Sequence, residues 1–360
     1  MTLLQRMADV VGLMATPLRP SHYTELVYPL WSSHRLQARV EGVWDETRDA
    51  RTLTLRPGRG FRVHRAGQHV RVGVTLDGRR MTRTYSISSS PDRDDGCFTI
   101  TVKTCEGARV SRFLARDVRP GAFLSVELPQ GDFCLPDSTP VRPLFITAGS
   151  GITPVMSMLR TLALRDRMPD SVHIHYAPRA RDVIFGGELE RIAAEHPRYR
   201  LRCVYTRDGV SRSASYFTAQ QLEELCPDWR ERDVWACGPQ DLLDALGAHF
   251  ERAGRPERLH VERFTARVAP LSANAIGGTV HFRRSGLETR ADGKKVLLRV
   301  AEDAGIGAPH GCRMGVCHTC DATMLAGCVR DIRSGREINE PGTRIQLCVC
   351  AAAGDVEIEL

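Results

Sequence analysis

The chain has 360 residues, 42% of them hydrophobic and 26% charged, which excludes a disordered or low-complexity polymer and is enough for two or three domains with cores of their own. Its formal charge is +7, and because residues 276–360 hold eleven Lys/Arg against eleven Asp/Glu, the whole excess of 39 over 32 lies upstream. No basic run is interleaved with aromatics, so the excess reads as scattered surface arginines, some facing anionic cofactors, and excludes a nucleic-acid partner.

Residues 1–35 are predicted to form an N-terminal helical extension. Leu3, Leu4, Met7, Val10, Val11 and Met14 fall on one helical stripe, which can pack on the following domain or dock a membrane-bound partner. Arg6 and Asp9 interrupt the apolar stretch and spoil both a secretory leader and a membrane span. With twelve cysteines in the chain, the expected compartment is the reducing cytoplasm, where thiols serve metals and not disulfides.

Short strands punctuated by Pro57, Gly67 and Gly121 follow, as a small antiparallel β-barrel requires. A strand from Arg80 to Ile87 carries Arg83-Thr84-Tyr85-Ser86. There the guanidinium can pair with a pyrophosphate, the phenol ring can cover the face of a flavin, and the Ser86 hydroxyl can reach its reactive nitrogen. A second alternating strand, from Phe98 to Lys103, leads into Gly107-Ala108-Arg109-Val110-Ser111. Ser111 is expected to cap a helix whose free N–H groups cradle a phosphate, so Lys103, Gly107, Val110 and Ser111 join the candidate cofactor contacts.

The pattern then changes to alternating strands and helices, the mark of a parallel α/β layer. A buried strand from Leu144 to Thr147 runs into Ala148-Gly149-Ser150-Gly151-Ile152-Thr153-Pro154 and a helix from Val155 to Arg165. Glycines at such a turn let the backbone approach a dinucleotide at the helix N-terminus, and Pro154 suits the first helical turn. Strands are predicted from Ser171 to Ala177, from Arg200 to Tyr205, and from Val234 to Ala236. The last ends in Cys237-Gly238-Pro239. All the strand ends point one way, so Gly149, Gly151, Thr153, Pro154, Gly238 and Pro239 converge on one crevice.

Residues 266–278 are rich in small side chains and read as a linker. Beyond it, a strand from Thr279 to Arg283 and a helix from Leu297 to Ala304 precede Cys312-Arg-Met-Gly-Val-Cys317-His-Thr-Cys320. Four residues between the first pair and two between the second is the plant-type spacing for a [2Fe–2S] cluster, whereas zinc sites bring two short cysteine pairs or spaced histidines. Gly311 and Gly315 allow the loop to turn its N–H groups onto the sulfurs. Spacing alone leaves Cys328, Cys348 and Cys350 open as the fourth ligand.

In this order the motifs resemble the ferredoxin–NADP reductase superfamily with a C-terminal plant-type ferredoxin module, over roughly residues 36–360. The resemblance implies a multidomain fold: an FAD-binding antiparallel β-barrel over residues 36–138, an NAD(P)-binding α/β parallel-sheet domain over 139–265, and an α+β, β-grasp [2Fe–2S] domain over 279–360. The closing segment from Gln346 resembles the last strand of plant-type ferredoxins, where the fourth ligand stands seven residues before an Asp, here Asp355. That selects Cys312, Cys317, Cys320 and Cys348, with Cys350 a substitute on the same strand and Cys328 a non-ligand at a strand-to-turn junction. It also places Cys237 beside the nicotinamide, with Ser86 and Glu262 as catalytic partners and Tyr85 or Phe264 on the flavin faces.

Members holding this phosphate turn mostly bind FAD, some relatives FMN, and FAD is expected here. Members using NADPH set an arginine after the strand that here ends at Tyr205, facing the 2′-phosphate. Arg207 and Arg212 match, with Ser211, Arg179 and Arg181 near them, while Asp208 is the acidic residue an NADH user would show. The expected activity is NADPH-dependent reduction of FAD, with single electrons passed through the cluster to an acyl-CoA desaturase. Segments such as Gly327-Cys-Val-Arg330 and His260-Val-Glu262-Arg-Phe264 lie closest to desaturase reductases. The alternatives are an alkane, ring-hydroxylating or haem monooxygenase system, NADH-linked in some members, and a redox-sensing module, which would not need a complete nicotinamide crevice.

Overall fold

The computed structural model describes residues 28–31, 36–104, 108–136, 138, 142–207, 217–264, 276–310, 315 and 318–360. The N-terminal stripe, the 266–278 linker (but for its last three residues), Gly107, Ser211, Arg212, Cys312 and Cys317 lie outside them. The chain divides into two compact units, the first running to Glu262 apart from Met81–Arg83 and the second holding those three and Arg263–Leu360.

In the first unit, β1 (Gln37–Thr47), β2 (Ala50–Pro57), β3 (His69–Leu76), β4 (Arg79–Ser86), β5 (Phe98–Lys103) and β6 (Phe123–Val126) form a six-stranded sheet in the order β4-β3-β6-β1-β2-β5. The pairings β1–β2, β1–β6, β2–β5 and β3–β6 are antiparallel. Ile87 bridges to Ile100, and Ser88 N–H donates to Thr99 O at 2.8 Å, so the chain leaving β4 closes on β5. Alternation decides the faces: Leu53 and Leu55, Phe98 and Ile100, and Val70 and Val72 are buried in pairs two apart.

The same unit continues into a five-stranded sheet, order β11-β10-β7-β8-β9, from β7 (Pro143–Ala148), β8 (Ser171–Ala177), β9 (Tyr199–Tyr205), β10 (Asp233–Cys237) and β11 (Leu259–Glu262). Every register is parallel. All of β7 and β8 are buried, as strands covered on both faces must be. Helices α1 (Ile152–Leu164), α2 (Gly186–Glu195), α3 (Ala219–Leu225) and α4 (Gln240–Arg252) supply the cover. Helix α1 starts three residues before the expected Val155, because Gly149–Gly151 is already a 3-10 turn that feeds it.

The segment Ser88-Ser89-Ser90 joins the two layers. Ser157 Oγ donates to Ser89 O at 2.6 Å, Arg160 Nη1 to Ser88 O at 2.7 Å, and Thr161 Oγ1 to Ser90 Oγ at 3.0 Å, all from α1. Ala50, Ala66 and Phe133 of the barrel share one apolar core with Phe145, Met156, Met158 and Trp235.

The second unit contains β12 (Gly278–Phe282), β13 (Leu287–Ala291), α5 (Leu297–Asp303), β14 (Asp321–Asp331), β15 (Glu337–Ile338), β16 (Arg344–Gln346) and β17 (Cys350–Ile358). Its sheet runs β13-β12-β17-β14-β15, with β16 on β14; β12 and β17 are parallel and the other registers antiparallel. Leu297, Leu298, Val300 and Ala301 of α5 enter its core. Cys328 does not stand at a strand end as expected. It lies inside β14, at a register break between Gly327 and Val329, where Gly327 (φ +94°) leaves room for Asp355 O. Among the described residues no helix is long and apolar enough to cross a membrane.

Candidate functional site

The C-terminal ends of the parallel strands set a row of side chains across the first unit. Glu262 pairs with Cys237, Cys237 with Thr147, and Thr147 with His175. Two turns close over this row. A Cβ on Gly151 would lie 2.2 Å from Cys237 O, and one on Gly238 would lie 3.1 Å from Ala148 Cβ. The ends of β7 and β10 therefore nest only because both positions lack a side chain. Gly149 has φ +52°, a left-handed conformation, and the place of its missing Cβ is 4.0 Å from Lys103 Nζ. Thr153 Oγ1 donates to Ser150 O at 2.9 Å, and Pro154 sits in the first turn of α1, where no N–H is needed. Pro239 precedes α4 and accepts from Leu243 N–H.

The barrel brings Ser86 to this row. Its hydroxyl donates to Glu262 Oε2 at 3.4 Å, and His69 Nδ1 stands 3.5 Å from Glu262 Oε1. The Glu262 side chain is 12% exposed; burial pushes its carboxyl above the usual range, while His69 and Ser86 pull the other way. Burial, and then the Glu262 charge, push the wholly buried Cys237 thiol well above its ordinary value, so it stays a neutral S–H. Ser86, Cys237 and Glu262, far apart in sequence, are thus neighbours. His69 is the member that sequence reasoning missed. Its ring fits against Gly131, where a Cβ would lie 2.9 Å from Nδ1.

Arg83, Thr84 and Tyr85 are half-buried on β4 beside Ser86, and Arg83 Nη1 donates to Thr82 O at 2.8 Å. Lys103 ends β5 with Nζ 3.4 Å from Asp49 Oδ2. The expected cap is corrected here. The α-helical turn Arg109–Arg112, which runs on into a π-helical turn to Asp117, has Ala108 at its N-cap with no side-chain cap, and Ser111 sits inside it, its hydroxyl donating back to Ala108 O at 3.2 Å. A serine at the third helical position cannot reach forward to the free N–H groups, so it bonds to the preceding carbonyl instead. Val110 is buried beneath the turn. Arg207 follows β9 with an exposed side chain, its N–H held by Pro178 O at 2.9 Å. Phe264 is 38% exposed.

In the second unit Cys320 and Cys348 are both buried. A hydrogen bond from Cys348 brings the Cys320 thiol down to about 6, against the burial that raises it. Gly315, at φ +71°, donates its N–H to Cys348 Sγ at 3.2 Å. Two buried thiols in contact, one of them thiolate-prone and the other receiving a backbone N–H, are the donor chemistry that an iron–sulfur cluster takes. Cys348 precedes β17, while Cys350 is its first residue, a buried thiol pushed up to about 12 chiefly by burial. Burial also raises the Cys328 thiol.

Three family models match the chain: an oxidoreductase FAD-binding domain over residues 44–134, an oxidoreductase NAD-binding domain over 145–247, and a 2Fe-2S iron-sulfur cluster binding domain over 280–353. The chain is 44% identical over 355 residues to an NADPH oxidoreductase of Mycobacterium tuberculosis, covering 98% of this chain and 91% of that protein. It is 30% identical to a glycine betaine monooxygenase reductase subunit of Pseudomonas aeruginosa, covering 91% and 96%. Among solved structures, phthalate dioxygenase reductase shares the fold, with a TM-score of 0.64 at 23% identity over 92% of this chain and 99% of that one.

Proposed function

The chain belongs to the ferredoxin–NADP reductase family of flavoproteins with a C-terminal [2Fe–2S] domain, and from that premise we propose that it is the NADPH-linked reductase component of an oxygenase system. Its domains bind FAD, a nicotinamide dinucleotide and a [2Fe–2S] cluster. When bound, these groups take two electrons together from the nicotinamide and release them one at a time. The observation that carries the reading is the meeting of Ser86 from the barrel with Glu262 and Cys237 from the parallel sheet. A flavin held on the barrel and a nicotinamide held over the strand ends would share that corner.

The protein's own contribution is placement. Gly149, Gly151, Thr153, Pro154, Gly238 and Pro239 form the dinucleotide cradle, and a side chain at Gly151 would collide with the Cys237 carbonyl and force its two turns apart. Ser86 and Glu262, with His69 behind the carboxylate, hold the reacting rings in register. The buried, neutral Cys237 supplies an uncharged wall that keeps water out. Arg83, Thr84, Tyr85, Lys103, Gly107, Val110 and Ser111 hold the flavin. Arg207 and Arg212 read the 2′-phosphate; the NADPH oxidoreductase at 44% identity supports that choice. Cys312, Cys317, Cys320 and Cys348 hold the iron, and the domains divide at residues 138, 265 and 278.

An oxygenase replaces the desaturase expected from the sequence, because relatives whose names state a partner include a monooxygenase reductase subunit. The test offers the purified chain and NADPH to a panel of acceptors: a ring-hydroxylating oxygenase, an alkane hydroxylase, a haem monooxygenase and an acyl-CoA desaturase. Product formation with an oxygenase supports the proposal. Turnover with the desaturase alone would overturn it.

A further inference from the structure

Arg333, just past β14, is tied to the cluster loop in a way the cysteine motif does not foretell. Its Nη1 donates to Gly315 O at 2.9 Å, and Gly315 N–H donates to Cys348 Sγ at 3.2 Å, so one glycine residue, through its two flanking peptide groups, joins the guanidinium to a sulfur. The approach needs glycine: a Cβ at 315 would lie 2.4 Å from Arg333 Nη1. Asp331 fixes the other side of the guanidinium, accepting from Nη2 at 2.6 Å and from Nε at 3.1 Å, and its Oδ1 also takes the Arg333 N–H at 2.8 Å. Asp331 in turn pairs across the sheet with Cys350, two residues beyond Cys348, and Ile332 N–H is held by Val349 O at 2.8 Å. The two charges are therefore fixed beside the same short stretch of chain, the arginine bonded to the loop at Gly315 and the carboxylate held on the guanidinium's other side by a residue that pairs with β17.

We propose that Arg333 and Asp331 act as a pair of opposed charges that sets the reduction potential of the cluster, Arg333 being a positioning residue that works through Gly315 on Cys348. The proposal rests on the reading of Cys348 as a ligand. Reduction adds one negative charge to the cluster, which a nearby guanidinium favours and a nearby carboxylate opposes. Hydrogen bonds to cluster sulfurs act in the same direction as the guanidinium. Because the pair carries no net charge, the intact protein holds these pulls near balance, and losing either member unbalances them in opposite directions. A purely structural clamp would behave otherwise: breaking it from either side loosens the same loop and shifts the potential the same way.

The experiment is a potentiometric titration of the cluster in the full-length holoprotein, followed by electron paramagnetic resonance, with iron content measured on each sample. Arg333→Met is expected to lower the potential by tenfold or more in the one-electron equilibrium, about 59 mV per tenfold. Asp331→Asn is expected to raise it, the double variant to fall between the two, and Arg333→Lys to keep most of the wild-type value. Shifts of the same sign in Arg333→Met and Asp331→Asn, or no shift in either at full iron content, would overturn the proposal. If Arg333→Met fails to hold iron, Asp331→Asn and Arg333→Lys decide: an unchanged or lowered potential in Asp331→Asn counts against it. Wild-type protein without a two-iron cluster would sink the ligand reading itself, an outcome distinct from a loaded cluster whose potential does not move.

Discussion

Ser86 Oγ, at the end of β4, donates to Glu262 Oε2, at the end of β11, across 3.4 Å. The two residues are 176 positions apart, and each closes the last strand position facing the crevice. Ser86→Ala should lower kcat/KM for flavin reduction by NADPH roughly ten- to hundredfold, the kinetic equivalent of losing a hydrogen bond to a charged group worth about 1.5–3 kcal/mol. Stopped-flow reduction of the bound flavin measures this directly. A variant as fast as wild type would separate the Ser86–Glu262 contact from catalysis.

Glu262 also makes a pH prediction whose sign can be worked out. Burial raises its carboxyl above the 4.5 of a free glutamate, so the folded protein holds this proton more tightly than the unfolded chain. The stability that Glu262 supplies is therefore fullest below about 4.5 and falls as pH rises through its folded value. Glu262→Gln removes that dependence. The difference in stability, variant minus wild type, should grow in the variant's favour as pH rises from the carboxylate range and then level off. Denaturant midpoints across that range would show it, and a difference that fell with pH would reverse the assigned direction.

Much of this arrangement was legible in the sequence where local pattern decides it. The alternation from Phe98 to Lys103 gave a strand with the observed ends, and the strand expected from Ser171 to Ala177 also has them. What escaped is contact between distant segments. His69 reads as an ordinary strand residue until Gly131, 62 positions on, is seen to vacate the space its ring fills. The Ser88–Ser90 link to α1 has no motif, since two of its three bonds are accepted by backbone carbonyls. A serine near a helix start resembles a cap, but Ser111 stands three residues beyond the N-cap position, where its side chain bonds back to Ala108 O. The resemblance put Cys328 at a strand-to-turn junction, but Gly327 before it serves a close strand approach inside β14.

Iron content will separate the cysteines. Cys320→Ser and Cys348→Ser should each reduce iron well below two per chain and bleach the visible spectrum of the cluster. Cys328→Ala should keep it, and so should Cys350→Ala, whose thiol is buried and protonated, pushed up to about 12. If Cys350→Ala lost the iron while Cys348→Ala kept it, the fourth ligand would have to move two residues along the chain.

Nucleotide choice is tested at Arg207. Its exposed guanidinium stands just beyond β9, where a 2′-phosphate can be met by a charge-assisted hydrogen bond. Arg207→Ala should raise KM for NADPH about ten- to hundredfold and leave KM for NADH nearly unchanged. Equal losses with both nucleotides would mean that the residue does not distinguish them.

The division of the chain after Glu262 carries the most demanding test of the whole reading. The dinucleotide cradle, Ser86, Cys237 and Glu262 all belong to the first unit, and Cys320 and Cys348 belong to the second. A truncated chain ending at Val268 should therefore keep its flavin and reduce ferricyanide with NADPH at a rate close to the full chain, since that acceptor can draw on the flavin alone. It should fail to support an oxygenase that the full chain supports. Loss of both activities would mean that the first unit needs the second in order to fold or to hold its flavin. Retention of both would make the flavin the direct donor to the oxygenase, and the cluster would then lie outside the path of electrons.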